Sequence, residues 1–164
     1  MKAKIRAFIE LMRPANVITS LSDVLAGMSI VGFIFNIIDL NTILSLGIST
    51  MCLYAGGVLF NDVFDHDLDK IERPERALPS GRILRSEAIL GGILLLSVGI
   101  FCAFWHSNLS GIIAIIISIC ALFYDWKGKH MYIFGPINMG LCRAFNLLLG
   151  MSVFEIGVFT YGYL

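Results

Sequence analysis

Residues 61–81 read NDVFDHDLDKIERPERALPSG, a charge-rich stretch inside a mostly apolar chain. Wound as a helix at about 100° per residue, the stretch places Asn61, Asp65, Asp69 and Asp62 at roughly 0°, 40°, 80° and 100°, so the four share one face. Asp67, at about 240°, points away. Carboxylates crowded on one face repel one another, and that arrangement is tolerated mainly where a cation lies between or beside them. A hard divalent metal is the natural candidate. Just beyond, Arg73, Arg76 and Arg82 sit among Pro74, Pro79 and Gly81, which end the helix and hold a loop. Carboxylates for a metal beside guanidiniums for phosphate oxygens point to a diphosphate site.

Two simpler readings compete. A solvated loop between membrane helices would carry mixed charge without gathering its carboxylates on one face. A calcium loop is suggested by D-x-D-x-D at Asp65, Asp67 and Asp69, but that pattern requires glycine at its sixth position and glutamate at its twelfth. Lys70 and Arg76 stand there, so the calcium reading fails.

Working outward, the 164-residue chain is 57% hydrophobic and 15% charged with a mean hydropathy of +0.83, which excludes an ordinary soluble domain. It reads as a multi-pass, all-α membrane protein, organised as a single membrane domain over 1–164. Cys52, Cys102, Cys120 and Cys142 lie in apolar runs without C-x-x-C spacing and read as small core residues. His66, His106 and His130 lack metal-ligand spacing. No nucleic-acid partner is expected.

Residues 3–13 place Ile5, Phe8, Ile9 and Met12 at helical spacing, predicting a short amphipathic helix for the membrane surface. Basic residues precede the following apolar stretch as in a signal peptide, but that stretch is too long for a cleaved one and is read as a retained span. Pro14 suits the first turn of this span, which runs to about Phe35 with Asp23 inside it. Further spans are predicted from about Thr42 to Phe60, Glu87 to Trp105, Leu109 to Tyr124, and from Tyr132 through Arg143 and Asn146. The apolar tail from Phe154 could begin a sixth helix. With five spans, eleven of the twelve Lys and Arg residues fall on one side, leaving Arg143 inside the fifth span. That places the N-terminus and the aspartate-rich loop on the cytoplasmic side.

The order N-D-x-x-D-x-x-x-D (Asn61, Asp62, Asp65, Asp69), R-P-x-R and L-P-S-G resembles the first aspartate-rich motif of the UbiA superfamily of membrane prenyltransferases. Arg13-Pro14 with Asn16, and Tyr124 followed by lysines, agree with it. The resemblance implies a helical bundle with a cavity open to the cytoplasm and the lipid bilayer. It also implies transfer of an isoprenoid chain from a prenyl diphosphate to a lipophilic, often aromatic, acceptor with Mg2+. Carried over, Asn61, Asp62, Asp65 and Asp69 form the first magnesium and diphosphate site, Arg73 and Arg76 belong to the R-P-x-R element, and Lys129 binds diphosphate, with Lys127 as the alternative. Two departures stand out: Ala77 replaces a second proline, and no later D-x-x-x-D appears. With about five spans where relatives have about nine, the chain corresponds to an N-terminal half and is not expected to act alone.

Several residues keep two readings. Arg143, a cavity candidate with Asn146 at i+3, is either a contact for the acceptor or the diphosphate or the partner of Asp23 in an ion pair that locks two helices. Tyr124 is an interfacial anchor or a cavity residue, Asp125 a capping or surface charge, and Asn16 and Asn138 cavity or packing residues. The competing functions are a transporter or channel fragment and a non-catalytic membrane partner.

Overall fold

The structure, a computed structural model, describes residues 2–35 and 39–153. Its helices are α1 (Lys2–Met12), α2 (Pro14–Phe35), α3 (Leu40–Phe64), α4 (His66–Glu72), α5 (Arg85–His106), α6 (Asn108–Trp126) and α7 (Phe134–Met151), with a 3-10 turn at Gly128–His130. Local chemistry sets the breaks. The ring of Pro14 disfavours the helical region for the residue before it, and Arg13 adopts a left-handed φ of 50° between α1 and α2. The carboxylate of Asp39 caps α3 by accepting the Thr42 N–H at 2.8 Å. Gly81, at φ 74°, supplies the left-handed residue that turns the loop toward α5. Ser107 caps α6 through the Ser110 N–H at 3.1 Å.

The second predicted span is too short by a turn. α3 continues through Asn61 and Asp62 to Phe64 and breaks at Asp65, whose φ of −83° and ψ of 0° end one helix and begin α4. The aspartate-rich motif is therefore the end of a membrane helix plus one short helix. Among the described residues four helices, α2, α3, α5 and α6, are long and apolar enough to cross a membrane. α7, the predicted fifth span, starts at Phe134 and falls short of that apolarity, being interrupted by Asn138, Arg143 and Asn146. The predicted sixth helix lies outside the described residues.

Two apolar cores organise the bundle. Val24, Met28, Leu46, Leu53, Leu96, Ile117 and Leu149 fill the interior between α2, α3, α5, α6 and α7. Ala7, Leu11, Leu59, Val63, Ala77, Leu78, Ile83 and Ala88 form a second core between α1, α3, the 73–84 loop and the start of α5. The outward faces stay apolar, with Leu94, Phe101, Ile112 and Ile119 exposed, as lipid-facing helices require.

This arrangement corrects the reading of α1. Its buried edge is Ala7 and Leu11, with Phe8 and Met12 half-buried against the second core, while Ile5 and Ile9 remain exposed. α1 is thus packed onto the protein along one edge and leaves only part of its apolar surface outward. The four cysteines are half-buried and unpaired.

Close backbone approach joins distant helices. A Cβ on Gly27 would lie 2.2 Å from the Leu147 carbonyl oxygen, and one on Gly150 would lie 2.1 Å from that of Val24. Small residues permit such contact between membrane helices, where packing rather than the hydrophobic effect drives association. Gly150→Ala is expected to destabilise the protein by about 1–3 kcal/mol through overpacking, measured by reversible denaturation in detergent. Gly140→Ala, with nothing within 4 Å of the added carbon, is the control that should leave stability unchanged or raise it slightly.

Candidate functional site

At one end of the bundle, α1, the end of α3, α4, the loop that follows it, and the end of α6 bring their charged residues together. Asp62 is buried, and its Oδ1 accepts from Arg13 at 2.5 Å while lying 3.6 Å from Arg76. The same Arg76 donates to Oδ2 of the buried Asp69 at 2.7 Å. Asp65 accepts from the ammonium of Lys129. Asn61 donates its amide to Asp125 Oδ1 at 2.9 Å. Asp67 is 82% exposed and reaches only Lys70, on the outward side that its helical phase predicted.

The predicted shared face therefore exists, with one difference. The carboxylates do not converge on a common point: Asp62 is paired with Arg13, Asp69 with Arg76 and Asp65 with Lys129. Among the described residues no three His, Cys, Asp or Glu side chains lie close enough together to cage a metal. Three negative charges are thus matched by three positive ones, which offsets the cost of holding them at a low-dielectric helix end.

Of the remaining candidates, Lys129 joins this cluster and Lys127 does not, its ammonium lying 4.5 Å above the Trp126 ring. Arg73 is exposed and makes no side-chain ion pair among the described residues. Two residues escaped the sequence reading. Arg13 was noted only as part of the Arg-Pro entry to α2, yet it reaches Asp62 across 49 positions of chain. Asp125, read as a surface or capping charge, is buried against Asn61. A contact between chain-distant polar residues has no periodic signal in sequence, so neither pairing could be read there.

Beneath the cluster a cavity of about 420 Å³ opens between α2, α3, α6 and α7. Arg13, Asn61, Tyr124 and Asp125 line its charged end, and Leu53, Val58, Ile117 and Met139 contribute apolar wall. Asp23 and Arg143 also line it and form an ion pair at 2.8 Å, as the ion-pair reading of Arg143 expected. Asn146 lines the cavity while accepting from Thr50 at 2.6 Å and donating to the Ser20 carbonyl at 2.8 Å, a bolt between α2, α3 and α7. Asn138 is a packing residue, donating to the Cys120 carbonyl at 2.7 Å. Asn16 is exposed and is not part of the cavity wall.

A charged cluster capping an apolar cavity in a membrane bundle can be compared with known proteins. The chain is 30% identical over 143 residues to the digeranylgeranylglyceryl phosphate synthase of Methanothermobacter thermautotrophicus, covering 87% of this chain and 49% of that protein. It is 33% identical to the synthase of the same name from Thermococcus kodakarensis, covering 93% of this chain and 55% of that protein. For that from Sulfurisphaera tokodaii the identity is 35%, with coverage of 92% and 54%. A solved structure from work on digeranylgeranylglyceryl phosphate synthase in membranes superposes with a TM-score of 0.87 at 29% identity, over 93% of this chain and 54% of that one. The chain thus spans about half the length of the curated relatives it matches. The family model described as "UbiA prenyltransferase family" matches residues 24–159, from the middle of α2 past the end of α7, and this chain belongs to that family.

Proposed function

We propose that this chain supplies the diphosphate-binding half of a membrane prenyltransferase site, in which a prenyl chain passes from a prenyl diphosphate to a glyceryl phosphate acceptor. The observation that carries the reading is the pairing of Arg13, Arg76 and Lys129 with Asp62, Asp65 and Asp69 next to a cavity whose charged end Arg13 and Asn61 line. Cations and carboxylates together suit a polyanion with its counter-ion, and the cavity suits the hydrocarbon attached to it.

The residues present fit magnesium. This ion favours hard oxygen ligands and is usually held by one or two carboxylates together with substrate phosphate oxygens and water, so it needs no cage of three. Asp62, Asp65 and Asp69, with the Asn61 amide oxygen beside them, are the residues that would hold it. When bound, magnesium neutralises charge on the diphosphate as the allylic carbon–oxygen bond breaks. The chain's own residues do the rest. Arg76 and Lys129, released from Asp69 and Asp65, turn their donors to the diphosphate oxygens and stabilise the negative charge that grows there. Arg13 adds a third cation from the cavity rim. The apolar wall keeps water from the allylic centre, and Tyr124, at the same end of the cavity, bounds the space next to it.

Acceptor identity follows the relatives. Their shared name describes glyceryl phosphate carrying two geranylgeranyl groups, which supports an acceptor hydroxyl on a glyceryl lipid in place of the aromatic ring expected from sequence. Sidedness follows the charge: the loop and helix ends that carry eleven of the twelve Lys and Arg residues lie together, supporting a cytoplasmic site.

Calorimetric titration of the chain in detergent with magnesium geranylgeranyl diphosphate should give saturable binding. Asp65→Asn and Asp69→Asn should each weaken it by at least about 10–100-fold; equal affinity in wild type and variants would overturn the reading. In membranes containing whatever completes the enzyme, labelled prenyl groups should appear on geranylgeranylglyceryl phosphate and not on 4-hydroxybenzoate. The reverse outcome would restore the aromatic acceptor. For sidedness, a membrane-impermeant maleimide applied to intact cells should label Asn108→Cys and spare Glu72→Cys in a background lacking the native cysteines. Labelling in the opposite pattern would invert the topology.

A further inference from the structure

Arg76 touches two of the motif carboxylates, so its direction matters, yet it sits in a loop and not on a helix. What fixes it lies on the surface behind it. Arg82 uses all three guanidinium nitrogens. It binds Glu10 through both carboxylate oxygens, at 2.7 and 2.9 Å, donates to the Glu75 carbonyl at 2.8 Å and to the Ser80 hydroxyl at 3.1 Å. Ser80 in turn donates its hydroxyl to the Arg76 carbonyl at 2.6 Å and its backbone N–H to the same oxygen at 3.0 Å. The carbonyls of Glu75 and Arg76 belong to the two peptide groups that flank the Arg76 Cα. Holding both planes restrains the backbone dihedrals of Arg76 and hence the direction in which its Cα–Cβ bond leaves the loop.

The other end of this chain of contacts returns to the site. Glu10 is in the last turn of α1, and Arg13, three residues on, is in contact with Asp62, which itself lies 3.6 Å from Arg76. The contacts close a ring: Glu10, Arg82, the 75–80 loop backbone, Arg76, Asp62, Arg13 and back to α1. Ala77, Leu78 and Ile83 are buried against Ala7 and Leu11 within the second core, so the loop is anchored from its apolar side as well. The Arg82 guanidinium holds the Glu10 carboxyl below its ordinary range, as a pair formed in the folded chain would.

We propose that Glu10 and Arg82 are positioning residues that orient Arg76 toward the diphosphate through the loop backbone, without touching substrate. The proposal rests on the reading of the site as a diphosphate site. An exposed ion pair of this kind contributes little to global stability; its bidentate geometry, its contact with the Glu75 carbonyl and its reach through the Ser80 hydroxyl to the Arg76 carbonyl give it a local role instead.

Two measurements on the full chain in detergent test it. The first needs no ligand: hydrogen exchange of the backbone amides of residues 76–83 should rise about fivefold in Glu10→Gln, the scale of one lost exposed pair, with α5 and α6 unchanged. Arg82→Lys, which keeps the charge and loses the fork, should behave as Glu10→Gln. Unchanged exchange in the loop, or equal loosening of α3, α5 and α6, would overturn the proposal. The second uses magnesium with inorganic diphosphate as the probe. Glu10→Gln should weaken its binding about fivefold in the wild-type background and have no further effect in Arg76→Gln. A general packing defect would weaken binding in both backgrounds and would overturn a positioning role. If wild type fails to bind the probe, the diphosphate reading falls, and the exchange measurement still decides whether Glu10 and Arg82 order the loop.

Discussion

Everything at the charged end of this protein depends on a buried carboxylate, Asp62, held at the end of a membrane helix by two guanidiniums from distant parts of the chain. An unpaired carboxylate in that position would be costly, because burial disfavours its charged form. Arg13 arrives from the junction of α1 and α2, where a left-handed residue imposed ahead of Pro14 ends one helix and starts the next. Arg76 arrives from the loop after α4 and ties Asp62 to Asp69. One buried charge therefore fastens three separate pieces of chain to the end of α3, and the amphipathic α1 becomes part of the site's scaffold as well as a surface helix.

The cavity beneath is walled differently. Its apolar lining comes from helices that pack through small residues and backbone-directed hydrogen bonds, as at Ser49 to the Gly99 carbonyl at 2.8 Å and Asn146 to the Ser20 carbonyl. Such bonds are satisfied within the protein, which the lipid environment demands. The polar residues of the spans thus divide into two kinds. Asn138 and Asn146 are bolts, whereas Asp23 and Arg143 neutralise each other at the cavity wall.

Much of this was legible in the chain itself. The helical phase of Asn61, Asp62, Asp65 and Asp69 gave a shared face, and Asp67 does point outward, because a helix of fixed pitch carries its angular relationships over a short break at Asp65. The apolar runs gave the membrane helices. What was not legible depends on contacts between chain-distant residues: the pairing of Lys129 with Asp65, the burial of Asp125, the reach of Arg13, and the edge on which α1 packs. Periodicity shows which residues of one helix lie together. It says nothing about which other helix will meet them, so the individual pairing of each carboxylate with its own cation appears only in three dimensions. Asn16, open in sequence between a cavity and a packing role, is exposed in the structure.

The seam between α2 and α7 carries one more implication. Where Gly27 and Gly150 meet the facing helix, carbonyl oxygens sit where a Cβ would otherwise be, so the two backbones are in contact and no side chain stands between them. A seam closed by side chains can open by rotamer changes; a seam closed by main chain opens only if whole helices separate. One turn beyond Asp23 and Asn146, the last residues of α2 and α7 to line the cavity, the two helices are therefore held together as one unit. The spacing of α2 and α7 beside the cavity is correspondingly set by the backbone, leaving side chains such as Thr19, Met139 and Arg143 to shape the space between them.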